Sequence, residues 1–96
     1  MKAYKHLVKF ALKAGCTVSV WDGEEWQVKR SIGYKAIIES IESVEEAALR
    51  LRDDQGLIIG SVTVSAFGLA DDETVVDYTI NPFMDSWEKS YNTETV

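Results

Sequence analysis

The segment VEEAALRLRDDQGLIIG, residues 44–60, decides the fold, because it reads either as helix or as two strands. As helix, Ser43 and Glu46 form a capping box that carries the helical pattern before them onward. As strand, Ala47, Leu49 and Leu51 alternate with Ala48, Arg50 and Arg52, one set for a core and one for solvent. Asp53-Asp54-Gln55-Gly56 then forms a four-residue turn that sets Leu51 opposite Ile58. Agreement of the apolar phase across that turn favours the strand.

Downstream, Leu57 to Phe67 reads as a strand with Ile58, Val62, Val64 and Ala66 on one face. Gly60 falls on the same face, where a helix approaches closely or a bulge forms. Gly68 to Glu73 reads as a loop and Thr74 to Ile80 as a strand, with Val76, Tyr78 and Ile80 inward and Asp77 and Thr79 outward. Asn81-Pro82 opens a last helix, Asn81 as cap and Pro82 at the first helical position, with Met84, Trp87 and Tyr91 as its apolar stripe. Residues 92–96 read as a flexible C-terminal tail. Its last three residues, Glu94-Thr95-Val96, have the acidic-x-aliphatic form that PDZ-type pockets accept, too short a match to carry a reading.

Upstream, Tyr4, Leu7, Val8 and Ala11 give residues 2–14 helical spacing, and Gly15 stops that helix. Residues 16–30 read as a hairpin around Asp22-Gly23. A two-residue loop would pair Val20 with Glu25 and Val18 with Gln27, setting apolar against polar on each face. A three-residue loop, Trp21-Asp22-Gly23, pairs Val18 with Trp26 and Cys16 with Val28 and gives one apolar face. That register puts Trp21 at the loop tip. Tyr34, Ile37, Ile38 and Ile41 mark a second helix ending near Ser43, after a cap at Ser31 or Gly33. The expectation is a single α+β domain over residues 1–91, in the order α-β-β-α-β-β-β-α. A mostly antiparallel sheet of about five strands is packed with helices.

The 96 residues are 46% hydrophobic, an ordinary globular fraction, and carry ten bases against sixteen acids for a net charge of −6. That balance disfavours generic nucleic-acid binding, since phosphates attract cations. The single cysteine, Cys16, has no partner for an internal disulfide, and no window approaches the roughly 18–20 apolar residues of a membrane span. Lysines interrupt the apolar N-terminal stretch too often for a secretory signal. The reading is a cytoplasmic protein.

No cofactor, metal or catalytic motif appears. His6 sits among lysines and reads as solvated, and Cys16 as a buried strand cysteine. Asp71-Asp72-Glu73 lacks the spacing of a calcium loop, and no phosphate loop or nucleophile elbow is present. Two charged features remain. Lys2, Lys5, Lys9 and Lys13 form a basic stripe on a stretch with no acid, leaving six bases against sixteen acids in residues 15–96. Such a stripe suits an anionic partner. Trp21, with Asp22, Glu24 and Glu25 beside it, is the candidate anchor for a protein partner, since exposed tryptophan is enriched at binding hot spots.

The runs VSVWDGEEWQVKRS (residues 18–31), YKAIIESIESVEEA (34–47) and SVTVSAFG (61–68) resemble small uncharacterised proteins of tailed bacteriophages. The resemblance implies a cytoplasmic accessory protein that binds and redirects a host protein, and it assigns no catalytic residue. The leading expectation is a non-enzymatic protein-binding module. The alternatives are nucleic-acid or nucleoprotein binding through the lysine stripe, and a small-ligand or enzymatic domain without a visible motif. An exposed edge of the strand meander would also allow pairing of two copies.

Overall fold

A computed structural model describes residues 1–95, with the side chains of residues 1–94. Residues 47–52 are strand, and the order is the expected one: α1 (Ala3–Lys13), β1 (Thr17–Trp21), β2 (Trp26–Ser31), α2 (Tyr34–Glu42), β3 (Ala47–Arg52), β4 (Ile58–Val64), β5 (Val75–Tyr78) and α3 (Pro82–Thr95). The strands form one sheet in the order β2-β1-β3-β4-β5, and every neighbouring pair is antiparallel. The fold is α+β.

The inward face of the sheet follows the alternation of β3. Leu49 lies between Val20 and Val62, Leu51 between Val18 and Gly60, and Ala47 opposite Val64. All of these are buried. The helices cover this face: α2 rests on β1 and β2, α1 on β1 between the other two helices, and α3 on β4. Tyr4, Leu7, Val8 and Ala11 of α1 are fully buried. Each large apolar side chain so placed contributes roughly 1.5–3 kcal/mol. Gly15 ends α1 in the left-handed conformation (φ +86°), which lets the Cys16 N–H donate to Ala11 O at 3.0 Å. Gly60 is the close approach, since a Cβ there would lie 3.2 Å from Met84 Sδ on α3 and 3.3 Å from Leu51 Cδ1.

Three irregularities change the expected registers. In the first hairpin the loop has four residues, Asp22–Glu25, so Val20 pairs with Val28 and Trp21 with Trp26. Trp21 therefore ends β1 instead of occupying the tip, and the expected pairs Val18–Trp26 and Cys16–Val28 do not form. The loop grows because Asp22 Oδ1 accepts the N–H groups of Glu24 (2.7 Å) and Glu25 (2.8 Å). Bulges in β2 then restore the inward phase. At one of them Arg30 sits at φ +47° and its N–H donates to the hydroxyl of buried Ser19 at 2.8 Å.

In the second hairpin Asp53 pairs with Leu57 through its N–H (2.9 Å), and its carboxylate accepts the N–H groups of Gln55 and Leu57. Arg52 is thus opposite Ile58 and Leu51 opposite Gly60, with Ile59 as the extra residue, in place of the expected Leu51–Ile58 pair. Ile58 consequently faces out, half exposed. The freed Ile59 carbonyl accepts from Asn81 Nδ2 at 2.9 Å while Asn81 Oδ1 caps Met84 N, so one side chain ties the bulge to α3.

The third bulge lies where Val64 pairs with Val75 and Thr63 with Asp77, leaving Val76 unpaired. Val75 and Tyr78 turn inward, and Val76 and Ile80, expected inward, are exposed. Residues 92–95, expected as tail, continue α3, and Val96 lies outside the described residues.

Candidate functional site

Because the described helices all lie on one face of the sheet, the opposite face is left open, and strand alternation decides what it shows. Register places Trp26, Trp21, Ala48, Thr63 and Asp77 in one row across the strands. Behind it lies the row Ser19, Arg50 and Ser61, with Thr79 joined to Ser61 by its N–H at 3.0 Å. Small side chains in the middle of the sheet and larger ones on its flanks make a groove of about 640 Å³. Its floor is Ala48, Ser61 and Thr63, its walls the tryptophan pair on one side and Asp77 and Thr79 on the other.

The tryptophan wall is a built structure. The two rings meet edge to face with centroids 5.1 Å apart and planes at 67°. The Arg50 guanidinium lies over the Trp26 ring at 5.1 Å from its centroid. Stacking fixes the planar cation while leaving its N–H edge for an acceptor. Both tryptophans are half-buried, large enough to anchor a partner and still accessible to one.

The expected anchor group splits. Trp21 belongs to the groove. Asp22 is taken up by the turn: it accepts two backbone N–H groups and the Gln27 side-chain amide, and the backbone bonds, Glu25 first, hold its carboxyl below the usual carboxylate range. Glu24 and Glu25 remain exposed at the tip. Trp26, Arg50 and Asp77, which residue-by-residue reading passed over, complete the groove. The signal for Arg50 lay in the alternation of residues 47–52, but which tryptophan it meets depends on a register that includes bulges.

The lysine stripe is largely engaged by its own fold. Lys2 donates to Ala66 O at 3.3 Å, Lys5 lies 3.8 Å from Glu42, and Lys9 stands 5.3 Å from the Tyr34 ring centroid. Lys13 is exposed, beside a cleft of about 230 Å³ between α1 and α3. His6, expected in solvent, is buried in that region because α3 packs over it. Trp87 Nε1 donates to His6 Nδ1 at 3.1 Å, Nε2 contacts the Glu94 carboxylate, and the Tyr91 ring lies edge-on. Since the indole can only donate, Nδ1 accepts and Nε2 carries the proton. This chain of bonds fastens α1 to α3.

No protein-family model, no curated protein and no solved structure matches this chain. Among the described residues, no three His, Cys, Asp or Glu side chains gather into a cluster able to hold a metal ion, and no helix is long and apolar enough to cross a membrane.

Proposed function

We propose that this chain is a non-enzymatic protein-binding module whose docking surface is the groove on the open face of its sheet. One observation carries the reading: a preformed wall of Trp21, Trp26 and stacked Arg50 stands beside a floor of small side chains. Tryptophan and arginine are the side chains most often found to dominate interface energetics. Here they are held by contacts within the fold, so little side-chain freedom is lost on binding. The bacteriophage resemblance extends the proposal to a modulator or inhibitor of a host protein. The lysine stripe supports the nucleic-acid alternative less well, since three of its four cations already contact the chain's own groups.

The test is selection of binders from a displayed random peptide library, followed by measurement against Thr63→Arg. That change fills the groove floor on a half-exposed side chain and leaves the helical face untouched. Affinity should fall at least about tenfold, the signature of a central contact. Recovery of no binder, or of peptides that bind the variant equally well, overturns the proposal.

A further inference from the structure

Strand direction decides which loops surround the groove. The C-terminal ends of β1 and β4 and the N-terminal ends of β2, β3 and β5 lie at the same end of the sheet. Three connections therefore meet there: the Asp22–Glu25 tip, residues 43–46 between α2 and β3, and residues 65–74 between β4 and β5. Between them they carry Asp22, Glu24, Glu25, Glu45, Glu46, Asp71, Asp72 and Glu73, and not one lysine or arginine, although the Asp71–Glu73 turn packs against α1 with its aspartates near Tyr91, on the helical side of this end. All but Asp22 are exposed. Lys2 reaches this end from the helical side, where it donates to Ala66 O. Inside the groove, Asp77 stands in the row next to this rim and Arg50 in the row behind.

The opposite end has no single sign. Arg50 and Arg52 run down β3 toward Asp53 and Asp54, and Lys29 and Arg30 lie on β2. The groove is thus electrostatically polar along the strands, uniformly negative at one mouth and mixed at the other. Summed charges of one sign at the mouth of a cleft raise the local concentration of oppositely charged partners and orient them on approach.

Building on the docking reading above, we infer that the groove's occupant is a basic segment of a partner protein. Its lysine or arginine side chains lie over the acidic rim, an apolar or aromatic side chain packs against Trp21 and Trp26, and a carbonyl or carboxylate accepts from Arg50. A single-stranded nucleic acid would also stack on the tryptophans, but its phosphates would have to pass the acidic mouth, so the charge distribution selects the peptide.

The peptide selection against the wild-type chain carries the test, with two added measurements. Recovered sequences should be enriched in lysine and arginine relative to the starting library. Their affinity should drop about tenfold or more, and lose most of its salt dependence, when Glu24, Glu25, Glu45 and Glu46 are together changed to lysine. Those four side chains are exposed and make no described contact, so the fold should survive, as an unchanged melting curve would verify. If binders depend on Thr63 and yet are neutral or acidic, or indifferent to the charge reversal, the basic partner is wrong while the docking face stands. If binding ignores Thr63→Arg, both readings fall. Tighter binding of oligothymidylate than of the recovered peptides, lost with Trp26→Ala, would overturn the peptide in favour of nucleic acid.

Discussion

Removing Trp26 tests whether the groove wall exists before any partner arrives. Trp26 makes an edge-to-face contact with Trp21 and lies beneath Arg50, each at 5.1 Å. An aromatic pair of this geometry contributes about 0.5–1.5 kcal/mol beyond its buried area. A guanidinium over a ring that is still partly wet adds about 0.5–1 kcal/mol. Trp26→Ala should therefore cost at least about 1–2.5 kcal/mol of stability, the sum of both contacts, with the apolar area the ring buries adding to it. Arg50→Ala should cost about 0.5–1 kcal/mol, because only its stacking is lost. The double variant should cost less than the two single changes added together, by the roughly 0.5–1 kcal/mol that the pair shares. Urea unfolding followed by far-ultraviolet circular dichroism measures all four proteins without relying on tryptophan emission. At a slope of about 2 kcal/mol per molar, a 1 kcal/mol change moves the midpoint by about 0.5 M. A coupling below about 0.3 kcal/mol, the range in which unrelated sites add, would show that Arg50 does not rest on Trp26. The preformed wall, and the low entropy cost argued from it, would then be refuted.

Two further outcomes follow from the helical side. His6→Phe keeps an aromatic ring in place but leaves the Trp87 N–H buried without an acceptor, so it should cost about 1–3 kcal/mol in urea unfolding. Glu94→Gln, which alters only an exposed partner of the same ring, should cost less than about 1 kcal/mol, and the reverse order would undo the assignment of Nδ1 as acceptor. All four tyrosines hold their protons above the ordinary value of 10.0: Tyr4, Tyr34 and Tyr91 chiefly because burial disfavours the phenolate, and Tyr78, pushed up to about 12, chiefly through its hydrogen bond to Glu88. The folded state therefore binds these protons more tightly than the unfolded chain. For Tyr78 the associated stability is complete below pH 10 and lost as pH rises through about 12. Phenolate absorbance of the native protein at pH 10 should fall well short of that in urea, and equal absorbance would contradict the burial.

The tryptophans show where sequence reading of the site succeeded and stopped. Trp21 stands out in the sequence because it is large, apolar and flanked by acids. Regular alternation through the hairpin would put it at the loop tip. Asp22 captures the Glu24 and Glu25 N–H groups, lengthens the loop, and moves Trp21 into the strand. Trp26, expected inward opposite Val18, turns outward for the same reason, and only then do Trp21, Trp26 and Arg50 converge. Ile58 and Val76 repeat the lesson, since Ile58 sits beside a bulge and Val76 is itself the bulged residue. His6 differs: the spacing of residues 2–14 specifies its helix, but nothing local indicates that α3 will cover that shoulder.

Local physics therefore determined the number, kind and order of the elements. Helical spacing, strand alternation, the glycine at the end of α1 and the Asn81-Pro82 start of α3 each act within a few residues and need no distant partner. The open face, the groove upon it and the gathering of acidic loops at one end came only with the tertiary structure. They depend on side-chain hydrogen bonds that set loop length, on single-residue bulges that switch faces, and on the strand order that brings Ala48 between Trp21 and Thr63. A one-residue change of register leaves the pattern of a strand intact but exchanges its two faces, and on this protein the faces are what separate core from binding surface.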